Sequence, residues 1–156
     1  MATVRLYHAE ESTSRIAANS ASFASGDFVS LTSGFAVKST AGKRVIGVAN
    51  GTKSFAADNQ TVAKDTISYT RIDPSETLAE LKTSAAIANA DVGKFYDLVT
   101  GTQLVDVATA LVSETGLFVN TSDAGVATDA VVPRQVKLEK VLGVSGTSTL
   151  GVFSFV

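Results

Sequence analysis

The chain contains no cysteine, no tryptophan, one histidine and only two prolines among its 156 residues. The absence of cysteine excludes disulfide bonds and thiolate metal sites. A single histidine without cysteine cannot build the usual zinc site or nucleophilic triad. We therefore interpret His8 as an exposed polar residue, and we expect stability to come from packing, strand pairing or oligomerisation.

Charge is also scarce. Charged residues make up 18% of the chain and the formal net charge is −2. A nucleic-acid-binding protein typically shows a basic face, and the small basic clusters here, Lys43-Arg44 and the set Arg134, Lys137 and Lys140, are interpreted as solvated strand ends. The sequence predicts no nucleic-acid partner.

Long apolar runs are missing as well. No segment approaches the roughly 18 apolar residues that a membrane-spanning helix needs, and no signal-peptide core follows the amino end. The sequence predicts synthesis in a cytoplasm and no membrane partner.

Sequence motifs for catalysis are not found. The chain lacks a nucleophile elbow, a P-loop, a dinucleotide-binding glycine pattern and a calcium-binding loop pattern. We predict a protein that is not an enzyme, with no catalytic residue, no cofactor and no bound metal.

What the chain has is a high content of small and β-branched residues. Hydrophobic residues reach 45% and the mean hydropathy is +0.24. Alanine, serine, threonine, valine and glycine suit pleated sheets and tight turns. This composition predicts a mainly β fold.

A short pattern occurs twice. Residues 26–34 read G-x-F-x-x-L-x-S-G, and residues 93–101, which begin 67 positions later (93 minus 26), read the same with threonine for serine. A second pair matches residues 45–49 with residues 141–145. The duplication predicts two related small units, each like a β-barrel or β-sandwich, in which Phe28 corresponds to Phe95 and Gly47 to Gly143.

The remaining signals divide the chain into four segments: an extended N-terminal arm over 1–22, a first β unit over 23–72, a helical linker over 73–90 and a second β unit over 91–156. Asp73 as N-cap, Pro74 at the first helical position and Glu76 three residues after the cap predict a short helix from about Pro74 to Lys82. Gly47, inside a strand, predicts a bulge or a close backbone approach. The predicted core residues are Phe28, Leu31, Val45, Phe95, Leu98 and Val141.

The predicted arm has no periodic apolar surface, so we expect it to contact another chain and to add little to the stability of the fold. The candidate contact residues for this interface with another chain are Val4, Arg5, Leu6, Tyr7, His8 and Arg15.

Three segments together resemble the small β-barrel decoration (cement) proteins of tailed-phage capsids. They are residues 26–31 followed by 44–49, residues 90–98 followed by Val105-Asp106, and residues 141–144 followed by 151–155. The resemblance extends over about residues 23–156. It implies a non-enzymatic virion protein on the capsid exterior that binds the major capsid protein, clamps neighbouring subunits and forms a homo-oligomer, expected to be a trimer.

Two alternative functions remain open. In the first, the chain is a different structural protein, such as a tail, fibre or surface-layer subunit. In the second, it is a carbohydrate-binding module, which would usually present exposed tryptophan or tyrosine platforms, whereas Tyr7, Tyr69 and Tyr96 are scattered along this chain.

Overall fold

The computed structural model describes residues 5–112, 117–119 and 131–156. Within them the chain forms strands and two short helical turns. The strands are β1 (Arg5–Tyr7), β2 (Ser12–Ile16), β3 (Ser22–Phe23), β4 (Phe28–Thr32), β5 (Phe35–Lys38), β6 (Gly47–Ala49), β7 (Lys53–Ser54), β8 (Thr66–Arg71), β9 (Leu78–Ile87), β10 (Lys94–Leu98), β11 (Leu104–Val112), β12 (Leu117–Val119), β13 (Val131–Pro133), β14 (Val136–Leu142) and β15 (Ser148–Phe155). The turns are a π-helical turn (Asn59–Ala63) and a 3₁₀ turn (Asn89–Asp91). The mainly β prediction is confirmed.

Five strands close into a barrel in the order β9-β11-β10-β14-β15, because β15 also pairs with β9. The β9–β11 contact is parallel and the other pairings are antiparallel. β1 extends this sheet by pairing with the first residues of β9. Side chains alternate along β9, with Ala79, Leu81 and Thr83 buried inside the barrel.

The helix predicted from about Pro74 to Lys82 is wrong. Asp73 caps only a single turn, in which its carboxylate accepts hydrogen bonds from the backbone and hydroxyl of Ser75 at 2.9 and 2.7 Å. From Leu78 onward the chain is β9, the strand that pairs with β1, β11 and β15. Pairing on both edges, with alternate side chains buried, outweighs the local helix signals.

A second five-stranded sheet has the order β2-β8-β6-β4-β5. Its outer strands approach each other where Ala17, just after β2, bridges to Ala36 in β5. The hydrophobic cluster inside this sheet is made of Ala17, Phe23, Val29, Ala36, Ala49, Phe55, Ile67 and Tyr69.

A separate arm over residues 1–22 is not confirmed. β1 pairs with β9 in the barrel sheet, and β2 pairs along five residues with β8 in the second sheet. Ala17 is fully buried. The amino-terminal residues that the structure describes therefore contribute to both sheets.

The two sheets share one hydrophobic cluster. Phe28 and Val48 of the second sheet pack with buried side chains of the barrel, as do Val45, just before β6, and Ile72, just after β8. The rings of Phe28 and Phe155 meet edge to face, with centroids 5.7 Å apart. Of the predicted core residues, Phe28, Val45, Phe95, Leu98 and Val141 are buried, whereas Leu31 is half-buried near the exposed end of β4.

The first repeated motif leads into a β-hairpin in both copies, although the turns differ in length: Thr32 pairs with Phe35 in the first, and Leu98 with Val105 in the second. Residues 26–34 lead into the β4–β5 hairpin and residues 93–101 into the β10–β11 hairpin. Their flanking glycines all have positive φ: Gly26 90°, Gly34 85°, Gly93 92° and Gly101 65°. That backbone region favours glycine.

The second repeated pair does not correspond. Gly47 is the first residue of β6, opposite Val29, whereas Gly143 follows the end of β14 in a turn with φ of 89°. Two equivalent β units are therefore not confirmed, and the division of the chain at residues 22, 72 and 90 stays a prediction. Among the described residues no helix is long and apolar enough to cross a membrane.

Candidate docking surface

The predicted contact residues on β1 lie at the end of the barrel sheet. β1 pairs with β9 on one edge and is the last strand in the sheet order. Arg5 is exposed, and Tyr7 and Leu6 are half-buried. Leu6 packs against the shared hydrophobic cluster and so anchors β1 to the barrel. Val4 lies outside the described residues.

Arg5, Tyr7 and Glu80 form a polar cluster across β1 and β9. The Tyr7 hydroxyl donates to the Glu80 carboxylate at 3.0 Å, and the Arg5 Nε lies 3.6 Å from the other oxygen of the same carboxylate. The Arg5 guanidinium carbon also lies 5.5 Å from the centroid of the Tyr7 ring. Burial, followed by the hydrogen bond to Glu80, raises the pKa of Tyr7. The phenol therefore stays protonated at neutral pH and keeps its hydrogen bond to Glu80.

His8 and Arg15 take no part in the contacts of this cluster. His8 is exposed with φ of 54°, and its backbone carbonyl accepts a hydrogen bond from the buried Thr77 hydroxyl at 2.9 Å. Arg15 is exposed on β2, opposite Ile67, in the second sheet. The structure brings Arg5 and Tyr7 together and places Arg15 on a different sheet. The role of all these residues as contacts stays a prediction.

A buried polar junction between the two sheets was not predicted from the sequence. The side-chain nitrogen of Gln135, just before β14, lies 2.7 Å from the Ser39 hydroxyl, 2.9 Å from the Thr40 carbonyl and 2.8 Å from the Lys43 carbonyl. Its side-chain oxygen accepts from the backbone of Leu98 at 2.9 Å. Gln135 is only 1% exposed. One side chain thus ties the 39–43 loop of the second sheet to two strands of the barrel.

Arg134 and Asp97 form an ion pair beside this junction. Arg134 Nη1 lies 2.6 Å from Asp97 Oδ2, and both residues are 9% exposed. The interpretation of Arg134 as a solvated strand end is therefore wrong. The available signal was the polar pair Arg134-Gln135 directly before a strand with buried valine and leucine, but only the fold shows what lies opposite it.

Two backbone contacts close the junction. The amide of Gly101, in the β10–β11 turn, donates to the Ser39 carbonyl at 2.7 Å, and the Gly101 carbonyl accepts from Phe28 at 3.0 Å. A Cβ at Gly101 would lie 2.9 Å from Lys38 Cδ. The turn of one hairpin therefore fits closely against the other hairpin.

Across the part of the chain that the structure describes, no group of three or more histidine, aspartate or glutamate side chains could hold a metal ion. Comparison with known protein families, curated proteins and solved structures found no match to this chain.

Proposed function

We propose that this chain is a non-enzymatic structural protein that binds the outer surface of an assembled viral capsid and bridges neighbouring capsid subunits. Its partner is the major capsid protein, its place is the exterior of the virion, and it acts as a homo-oligomer, expected to be a trimer. The resemblance of its hairpin motifs to phage decoration proteins is the first support.

The observation that carries the proposal is the joining of the two sheets into one body. A bridging protein must hold its contact surfaces in a fixed relation, because slack between them would transmit no force. The shared cluster around Phe28 and Phe155 and the buried bonds of Gln135 supply this connection. Interiors packed in this way transmit strain and do not yield to it.

The edge of β1 offers a means of attachment. Because β1 ends its sheet, its outer edge pairs with no strand among the described residues. Such an edge can accept a further strand from a partner, with backbone hydrogen bonds supplying much of the contact. Arg5, exposed on this strand, would face the partner.

A carbohydrate platform built on the tyrosines is less well supported. Tyr69 and Tyr96 are 3% and 1% exposed, so their rings are inside the protein. A tail or fibre subunit remains the alternative, and it differs from the proposal in where the protein sits on the virion.

The proposal is tested by the temperature at which shells break. A ligand that binds the assembled shell and not its dissociated subunits stabilises the shell. At a free ligand concentration of one hundred times Kd, the stabilisation is about 2.7 kcal/mol for each occupied site. Shells saturated with the protein should break at a higher temperature than bare shells, as followed by light scattering. Equal temperatures at saturation confirmed by gel would contradict the proposal, and binding to tails in place of heads would favour the alternative.

A further inference from the structure

The outer wall of the barrel carries apolar side chains across four neighbouring strands. Strand pairing places Leu142 opposite Leu150, and Leu78 opposite both Ser154 and Tyr7. None of these apolar side chains belongs to the buried cluster, and they are half-buried apart from Leu150, which is 37% exposed. We call this surface the barrel-wall band, which consists of Tyr7, Leu78, Leu142, Leu150 and Val152.

The carboxylates on this wall are already engaged. Glu80 accepts from Tyr7 and pairs with Arg5. Glu139 accepts from the Ser154 hydroxyl at 2.7 Å and lies 4.0 Å from the amine of Lys137. These contacts neutralise much of the negative charge beside the band.

Two lysines on the wall are not compensated in this way. Lys82 lies directly opposite Leu150, and Lys140 directly opposite Val152, on the two sides of β15. Both are exposed, and within the described ranges neither has a carboxylate oxygen at 4.0 Å or less. The band is therefore flanked by free positive charge, although the whole chain carries a net charge of −2.

We propose that the barrel-wall band is a docking surface for an acidic protein surface with an apolar centre. The inference rests on the proposed function, in which that surface belongs to the major capsid protein. Carboxylates on the partner would meet Lys82 and Lys140, and apolar side chains would cover Leu150 and Val152. Complementary charge of this kind steers encounter and fixes the register of docking. A protein fits better than a nucleic acid, because the apolar members between the lysines need an apolar counterpart.

The charge arm of the test compares two double variants in the full chain. Lys82→Glu with Lys140→Glu reverses the two lysines beside the band. Lys53→Glu with Lys64→Glu makes the same change of net charge at exposed positions outside the barrel sheet, one in β7 and one directly after the π-helical turn. Binding to purified shells that lack the protein is measured by cosedimentation at low and high salt, after circular dichroism and thermal melting have shown that each variant is folded.

The band variant should bind at least about tenfold more weakly than wild type at low salt, since about 1.4 kcal/mol corresponds to tenfold. The control should bind as wild type does, and wild-type binding should weaken as salt rises. If the band variant unfolds, Lys82→Gln with Lys140→Gln replaces it. This variant should also bind shells more weakly than wild type, and its binding should depend less on salt.

The apolar arm uses Leu150→Ser, with Val62→Ser as its control. Val62 is 70% exposed in the π-helical turn, whose Asn59 and Gln60 side chains bond to the backbone of Ala17 and Asn19 beside the second sheet. Leu150→Ser should weaken binding to shells several-fold, because a hydroxyl placed against an apolar partner is buried without a hydrogen bond. Val62→Ser should leave binding unchanged.

The outcomes separate this inference from the proposed function. Wild-type protein that fails to bind shells overturns both. If Lys82→Glu with Lys140→Glu and Leu150→Ser both bind shells as strongly as wild type does, the docking surface is overturned and the proposed function stands. Equal weakening of band and control variants would reflect net charge alone and overturn the docking surface. Retention of duplex DNA by wild type, lost in Lys82→Glu with Lys140→Glu, would also overturn it by assigning the lysines to nucleic acid.

Discussion

Gln135 is the residue on which the connection of the two sheets depends most. Replacing it with alanine would leave the backbone amide of Leu98 and the carbonyl of Lys43 without their side-chain partner. It would also remove one of the two hydrogen bonds to the Thr40 carbonyl, which keeps its bond from the Lys43 amide at 3.1 Å. Each buried group left unsatisfied costs about 1–3 kcal/mol. We expect Gln135→Ala to lower the free energy of unfolding by about 3 kcal/mol or more, as measured by urea denaturation.

The matched control is Gln60→Ala. Gln60 also accepts a backbone hydrogen bond through its side-chain oxygen, from Asn19 at 3.0 Å, but at an exposed site where water can replace it. Its substitution should cost less than about 1 kcal/mol. Equal losses in the two variants would show that the junction adds nothing beyond an ordinary surface hydrogen bond.

Tyr96 gives the fold a specific sensitivity to alkali. Burial, with a smaller contribution from the nearby charge of Asp91, raises its pKa to about 12. In the unfolded chain a tyrosine titrates near 10. Its contribution to stability is therefore complete below about pH 10 and is lost as pH rises toward about 12.

Tyr96→Phe removes this ionisation. Between about pH 9 and pH 11.5 the wild-type protein should lose more stability to urea than the variant does. The measurement is the urea midpoint of both proteins at the two pH values. Parallel losses would contradict the assignment of this alkaline sensitivity to Tyr96.

Residue burial was predictable where it follows from a large apolar side chain in a β pattern. Phe28 and Phe95 were predicted to be buried and are. The burial of Gln135 and Arg134 was not predictable, because a polar side chain is stable inside a protein only when the fold brings its partners to it. Those partners lie in segments 37 to 96 positions away in the sequence.

At the scale of elements, Gly47 sets how closely β6 and β8 can approach. A Cβ at this position would lie 2.6 Å from the Thr70 carbonyl oxygen and even closer to the Tyr69 ring. The close approach predicted for this glycine is confirmed. We expect Gly47→Ala to destabilise the protein by about 1–3 kcal/mol through overpacking.

Gly51→Ala is the control for that prediction. Around Gly51, two residues beyond β6, an added Cβ meets no described heavy atom within 4 Å. Thermal melting of this variant should shift little, within about 0.5 kcal/mol of wild type. Similar destabilisation in both variants would mean that the loss of glycine flexibility, and not the contact with Tyr69 and Thr70, is the cause.

The amino-terminal strands allow a test at the same scale. The sequence predicted that the arm could be removed with little loss of stability. The pairing of β2 with β8 along five residues now leads us to expect that deleting residues 2–16 clearly lowers the melting temperature. An unchanged melting temperature would mean that these pairings contribute little and would restore the prediction of a separate arm.

Element types were predictable where local pattern and tertiary pairing agree. The hairpins at the repeated motif fit that description, because glycines with positive φ lie beside their strands and large apolar side chains such as Phe28 and Leu98 lie in the core. In β9 the local pattern and the tertiary pairing disagree, since Asp73, Pro74 and Glu76 give the local signals of a helix start. Only its pairing with β1, β11 and β15 explains the strand.

At the scale of the whole molecule, the central claim is that the protein sits on the outside of a capsid and bridges its subunits. The mainly β composition led to the right class of fold, and the structure adds the closed barrel and the core that it shares with the second sheet. The docking surface was not predicted from the sequence, because the residues of the barrel-wall band come together only through the pairing of β14, β15 and β9.

The most direct measurement is a cryo-electron microscopy map of the virion that carries this protein. The account predicts barrel-shaped density on the outer surface of the head, in contact with at least two neighbouring capsid subunits and with the barrel-wall band facing one of them. Density for the protein on the tail or fibres, with none on the head, would contradict it.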